Sequence, residues 1–284
     1  MPIVLALACA IVYGASDFLG GLASRRTSTV SVVIASQAVG LVLLAVLLPL
    51  FGGHADIADV EWGALCGIAG AIAIVSLYRG LALGTMGVVS PISAVLGAAI
   101  PVVYGVVFRG EHPSWIAGAG IIAALAAVVF VSAEPGARKA STQLFPPGIP
   151  EALLAGVGFG AYFITLAQTR AAAGMVPLLA ARVTSVVLLL AGALVFGGIA
   201  NVRVARPALV LVVLCGALDI SANVLYVLAA HRALLALVAV LTSLYPASTV
   251  VLAALVLRER LGRLQWIGVA LALGGAAAIA WRGA

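Results

Sequence analysis

Ten apolar stretches, each close to the length of one bilayer crossing, follow one another along this chain: residues 2–23, 30–51, 62–83, 88–108, 114–133, 149–168, 176–199, 207–231, 235–257 and 264–281. None alternates apolar and polar residues as a half-wet strand does, so each reads as a helix. A spanning helix needs about 20 mostly apolar residues, and in hydrocarbon only helices and closed barrels satisfy every backbone polar group. Composition removes the soluble alternative. The 284 residues are 64% hydrophobic and 8% charged, whereas soluble domains run at about 45–50% and 25%, so lipid has to be the solvent for most of the exterior. The first stretch lacks the basic leader region of a secretory signal and outruns such a signal's apolar core, so it reads as a retained helix.

Short polar breaks separate most stretches, among them Arg25-Arg26-Thr27, Gly52 to Glu61, Arg109 to Pro113 and Arg258-Glu259-Arg260. The longest break, 134–148, carries Pro135, Arg138, Lys139, Pro146 and Pro147, a composition that suits a linker. On either side of it the sequence repeats itself. Tyr13-Gly14-Ala15 returns as Phe159-Gly160-Ala161, Leu77-Tyr78 as Leu225-Tyr226, Glu111 as Glu259 and Trp115-Ile116 as Trp266-Ile267, at separations of 146 to 151 positions. The sequence thus predicts an all-α membrane protein of ten transmembrane helices, with repeats at 1–133 and 149–284. Because five is odd, the second repeat enters the membrane from the opposite face, and inverted repeats of this kind put a substrate site near the midplane at their interface.

The formal charge of +6 does not describe a nucleic-acid binder, because the arginines stand singly or in pairs between apolar runs and form no basic face. Cys9, Cys66 and Cys215 lie inside apolar runs without CxxC or Cys/His pairing, so no disulfide framework, metal site or cofactor is indicated. No HExxH, GxSxG or phosphate-binding GxxxxGK[ST] element is present, and enzymatic catalysis is not expected.

Candidate site residues follow from what is expensive in lipid. An ionisable group near the bilayer centre costs at least about 2.5–3.5 kcal/mol, so it faces a cavity or a partner. Asp17, Asp219 and Arg182 lie deep enough to matter; Asp17 reads either as a cavity acid or as a neighbour of Arg25 and Arg79, and Asp219 either as a cavity acid or as the partner of Arg182. Asp219, Asn223 and Tyr226 fall at i, i+4 and i+7, on one face of the eighth helix. Tyr13, Tyr78, Tyr162 and Tyr245 add rings suited to an organic solute or a cation. Ser90-Pro91 and Tyr245-Pro246 lie inside predicted helices, where Pro91 and Pro246 free a carbonyl and allow a hinge beside Ser90 and Tyr245.

Tyr13-Gly14, Pro246, and Arg258-Glu259-Arg260-Leu261 leading to Gln265-Trp266-Ile267-Gly268 resemble the EamA-type branch of the drug/metabolite transporter superfamily, and the resemblance spans essentially the whole chain. The first half carries a weaker copy, with Ser114 in place of Gln265 and Ala98 in place of Pro246. The resemblance implies ten helices in two repeats that move small metabolites, often outward and sometimes against protons; Asp17 shares location alone, in the first helix, with the essential acid of the related small multidrug resistance proteins. The resemblance implies cytoplasmic termini, whereas the bias of basic residues between the loops places both termini outside.

The sequence therefore reads as a multi-pass plasma-membrane secondary transporter, an exporter of a small metabolite working by alternating access, with protons as the candidate coupling ion. The rival reading is a non-transporting assembly or sensor protein whose helices pack without a wet cavity.

Overall fold

The computed structural model describes the backbone of residues 1–24, 26–51, 53–83, 86–131, 147–195, 204–256 and 262–282. Helices α1 (Pro2–Ser24), α2 (Thr29–Phe51), α3 (Ile57–Leu83), α4 (Met86–Phe108) and α5 (Trp115–Val131) make up the first half. The second half holds α6 (Ile149–Ala167), α7 (Val176–Val195), α8 (Leu209–Ala230), α9 (Leu235–Thr242), α10 (Tyr245–Val256) and α11 (Arg263–Arg282). No strand occurs among the described residues. Six spans are long and apolar enough to cross a membrane: Pro2–Ala23, Val30–Phe51, Ile57–Leu77, Ile149–Ala167, Val176–Val195 and Arg206–Ala230. Three shorter apolar helices, Ile92–Phe108, Trp115–Phe130 and Leu235–Ser248, accompany them.

Local chemistry sets where the helices start. Asp56 and Asp59 form a reciprocal cap on α3, each carboxylate accepting the other's backbone N–H at 3.1 and 3.2 Å. The difference between Ser114 and Gln265 resolves into two ways of doing one job. Ser114 Oγ caps α5 by accepting the Ala117 N–H at 3.3 Å, whereas Gln265, inside α11, reaches back to accept the Gly262 N–H at 2.9 Å.

The single helix expected over 235–257 is corrected to two. It breaks at Ser243 and Leu244, just ahead of Pro246, which has no N–H for the carbonyl four residues back and whose ring crowds that carbonyl. The chain recovers through a tight turn in which the Ala247 N–H bonds the Leu244 oxygen at 2.9 Å. At Pro91 no such break occurs, and α4 runs on through position 91 from Met86.

Helix partners come in matched pairs. α1 packs on α8 as α6 packs on α3; α1 meets α9 and α10 as α6 meets α4; α2 lies on α8 as α7 lies on α3. The remaining main pairs, α5 with α11, α2 with α7 and α4 with α9, map onto themselves when the halves are exchanged. The two halves therefore share one packing plan.

Contacts between helix ends fall on two faces. At the face of the α1 N-terminus, Arg170 holds Asp59 through Nε at 3.0 Å and Nη2 at 2.6 Å, and reaches Asp56 at 2.7 Å. On that same face Glu111 accepts the N–H groups of Leu235 and Ala236 at 2.8 and 3.0 Å, capping α9 from the other half. At the opposite face Arg26 donates to the Pro207 oxygen at 3.1 Å, and Arg79 pairs with Glu151 at 3.4 Å.

Candidate substrate site

The polar centre of the bundle is built on α8. Its exposed residues Val210, Val213, Leu214 and Ser221 mark one side of the helix, and helical geometry puts Asp219, Asn223 and Tyr226 on the other. All three therefore point into the bundle. Asp219, 27% exposed, pairs with Arg182 of α7, which is 6% exposed; Arg182 Nη1 in turn donates to Gln37 Oε1 of α2. One buried cation is thus shared between a carboxylate and an amide oxygen, as a charge in lipid requires.

Asn223, one helical turn further, is buried and bonded through both its nitrogen and its oxygen. Its Nδ2 donates to the Asp219 carbonyl at 2.7 Å, and its Oδ1 accepts the hydroxyls of Tyr13 (2.7 Å) and Tyr162. Those two phenols come from α1 and α6, the leading helices of the two halves, so Asn223 ties both halves to α8. Tyr245, at the start of α10, stands edge-on to Tyr13 with ring centroids 6.4 Å apart.

Asp17 is the exposed member of the group. Along α1, Ala6, Ala10, Tyr13 and Asp17 recur at helical spacing and share a stripe, roughly opposite the exposed Val4 and Ile11. Ala6 and Ala10 are buried in the core, yet Asp17 on the same stripe is exposed. Its carboxylate therefore meets space on the inward side of α1, where Asp219 and Tyr245 lie within electrostatic reach.

One reading of the sequence is corrected here. Tyr226 does not line a wet surface: it is 0% exposed, donates to the Phe163 oxygen at 3.0 Å and packs on the Phe163 ring at 4.7 Å. Periodicity gave its direction correctly, but direction does not fix depth. Arg79 pairs with Glu151, and Arg25, the other basic neighbour proposed for Asp17, lies outside the described residues. The structure brings Tyr13, Asp17, Tyr162, Arg182, Asp219, Asn223 and Tyr245 together; the side chains of Tyr78, Ser90 and Pro91 lie outside the described ones. Gln37 was missed, although a lone amide in the apolar run 30–51 was its signal. Glu111 was read only as a repeat marker in a loop. Among the described residues no group of three or more His, Cys, Asp or Glu side chains is placed to hold a metal ion.

An all-helical, multi-pass membrane protein with polar side chains gathered where two like-built halves meet is the class that this fold and centre define. The sequence matches the EamA-like transporter family over residues 1–133 and 146–281, and the chain belongs to that family. A solved crystal structure is similar over 99% of this chain and 97% of its own, with a TM-score of 0.79 at 17% identity, a likeness of fold. No curated protein sequence matches significantly.

Proposed function

We propose that the protein is a secondary transporter that moves a small metabolite outward across the plasma membrane by alternating access. Ten crossings in two inverted five-helix repeats, divided by the linker 134–148, would carry it. The exchange-symmetric helix pairing supports this arrangement, as do the contacts between loops that ten crossings would put on the same face. The observation that carries the reading is Asp17, a carboxylate exposed on the inward stripe of a membrane-spanning helix. Such a group has no packing value and is costly unless water or solute reaches it.

In this scheme Arg182, Asp219 and Asn223 form the fixed floor, Tyr13, Tyr162 and Tyr245 shape the walls, and Tyr78 and Ser90 extend the site from the first half. The break ahead of Pro246 is the hinge of the second half, and Pro91 is the hinge proposed for α4. Asp17 exchanges protons and couples substrate movement to the proton gradient. Purified protein in vesicles tests this with a family-typical solute set and an imposed pH gradient. The gradient should accelerate uptake several-fold in the parent, and Asp17→Asn should remove the acceleration. Equal rates with and without the gradient in both proteins would reject coupling, and no transport of any solute would reject the function.

A further inference from the structure

The sign of the charge left over in the site selects its substrate. Arg182, which would otherwise attract anions, is spent: Nη1 goes to Gln37, Nη2 to Asp219, and the guanidinium is buried. Asp219 is neutralised by that pair. The amide of Asn223 is occupied on both its nitrogen and its oxygen.

Asp17 is different. It has no hydrogen bond or ion pair with any described residue, it is exposed, and the charge that bears on it is a second carboxylate, that of Asp219. One net negative charge therefore faces the open space. Beside it stand Tyr245 and, one turn back along α1, Tyr13, two rings edge-on at 62° whose faces suit a cation or an apolar body.

Resting on the transport reading above, we propose that the site takes a small organic ammonium ion, its cationic head on Asp17 and its apolar body along Tyr13 and Tyr245. Solutes bearing only a carboxylate or phosphate are rejected, because they would meet Asp17 with no free cation among the described residues of the site to offset it. A cleft lined by one sign of charge enriches counter-ions by about ten-fold or more, so the preference is measurable without knowing the natural substrate.

Gly21 supplies the reporter. It lies one turn beyond Asp17, and a Cβ there meets nothing within 4 Å, so Gly21→Cys places a thiol in open space. The native Cys9, Cys66 and Cys215 are buried. The rates of labelling by a trimethylammonium methanethiosulfonate and by the sulfonate analogue are compared, each normalised to its rate with a free thiol. The cationic reagent should react about ten-fold faster or more, Asp17→Asn should bring the ratio close to one, and Asp17→Glu should retain it. Phenethylammonium chloride should slow labelling several-fold relative to equal sodium chloride, while sodium 3-phenylpropionate should not. A ratio near one with Asp17 present, faster anionic labelling, or no protection by phenethylammonium overturns the ammonium assignment and leaves the wet site standing. Absence of labelling by either reagent overturns both this assignment and the transport reading.

Discussion

α3 and α8 hold equivalent places in the two halves and are made of opposite chemistry. Counted from the shared Leu77-Tyr78 and Leu225-Tyr226, Asp219 of α8 corresponds to Ala71 of α3, and Asn223 to Val75. α3 instead carries Gly63, Gly67 and Gly70, where an added Cβ would press on the backbone of Pro177, the backbone of Ala181 and the ring of Tyr162. One helix is a dry seam that lets α6 and α7 approach closely; the other carries the acid and amide that gather α1, α2, α6 and α7 around a polar centre. Repeat symmetry thus governs packing, while the acid and amide that α8 carries have no counterpart on α3.

The largest effect should come from the ion pair. Asp219→Leu leaves Arg182 buried without its partner and should cost about 3 kcal/mol or more, read as a fall in unfolding midpoint in detergent. Arg182→Leu combined with Asp219→Leu should recover most of that stability, since a buried pair replaced by apolar groups is often neutral. If the pair only props the fold, transport recovers with it; on the present account transport stays lost. Ala71→Asp on the matching helix should destabilise as well and should not restore transport to the double variant.

The dry seam gives the next test. In Gly70→Ala the new Cβ lies 2.9 Å from Tyr162 Cδ2, so the ring must shift and its bond to Asn223 weakens. Overpacking of this kind costs about 1–3 kcal/mol. Gly21→Ala, in open space, should be neutral or stabilising by up to about 1 kcal/mol, because alanine is the better helix former. Equal losses at both positions would show that the α3 seam is not the tight one.

Glu111→Gln should cost about 1 kcal/mol, a typical capping value, by removing the charge from the N-terminus of α9. Thermal unfolding of the variant reads that loss directly. The smallest effect concerns pH. Burial holds the imidazole of His231, at the end of α8, below its ordinary value of 6.5. The unfolded chain then binds the proton more readily, so stability should fall as pH drops through about 6.5, and His231→Gln should flatten that dependence in unfolding curves at stepped pH.

The helices were legible in the sequence because lipid imposes length and apolarity together, and predicted and observed ends agree closely, as at 149–168 against Ile149–Ala167. Proline marked the discontinuity near Pro246, though the sequence suggested a bent helix and the chain makes a full break. In the site, charge cost pointed to Asp17, Arg182 and Asp219, and helical spacing gave the face of α8. Depth was not legible, which is why Tyr226 looked like a wall and is core. Gln37 escaped notice because a neutral amide in an apolar run carries little of the cost that exposes a charge. Glu111 escaped because its partners, the N–H groups of Leu235 and Ala236, are backbone atoms more than 120 residues away in the sequence.

Distances between the halves at the two faces test the central claim most directly. Spin labels at positions 54 and 172 report the face of the α1 N-terminus, where the His54 N–H bonds the Ala172 oxygen at 2.7 Å; labels at 26 and 207 report the other, where Arg26 meets Pro207. In lipid vesicles each pair should give a short and a long population, and conditions that favour the long distance at one face should favour the short distance at the other. One fixed distance at both faces under every condition would contradict an account in which two like-built halves open the polar centre to each side in turn.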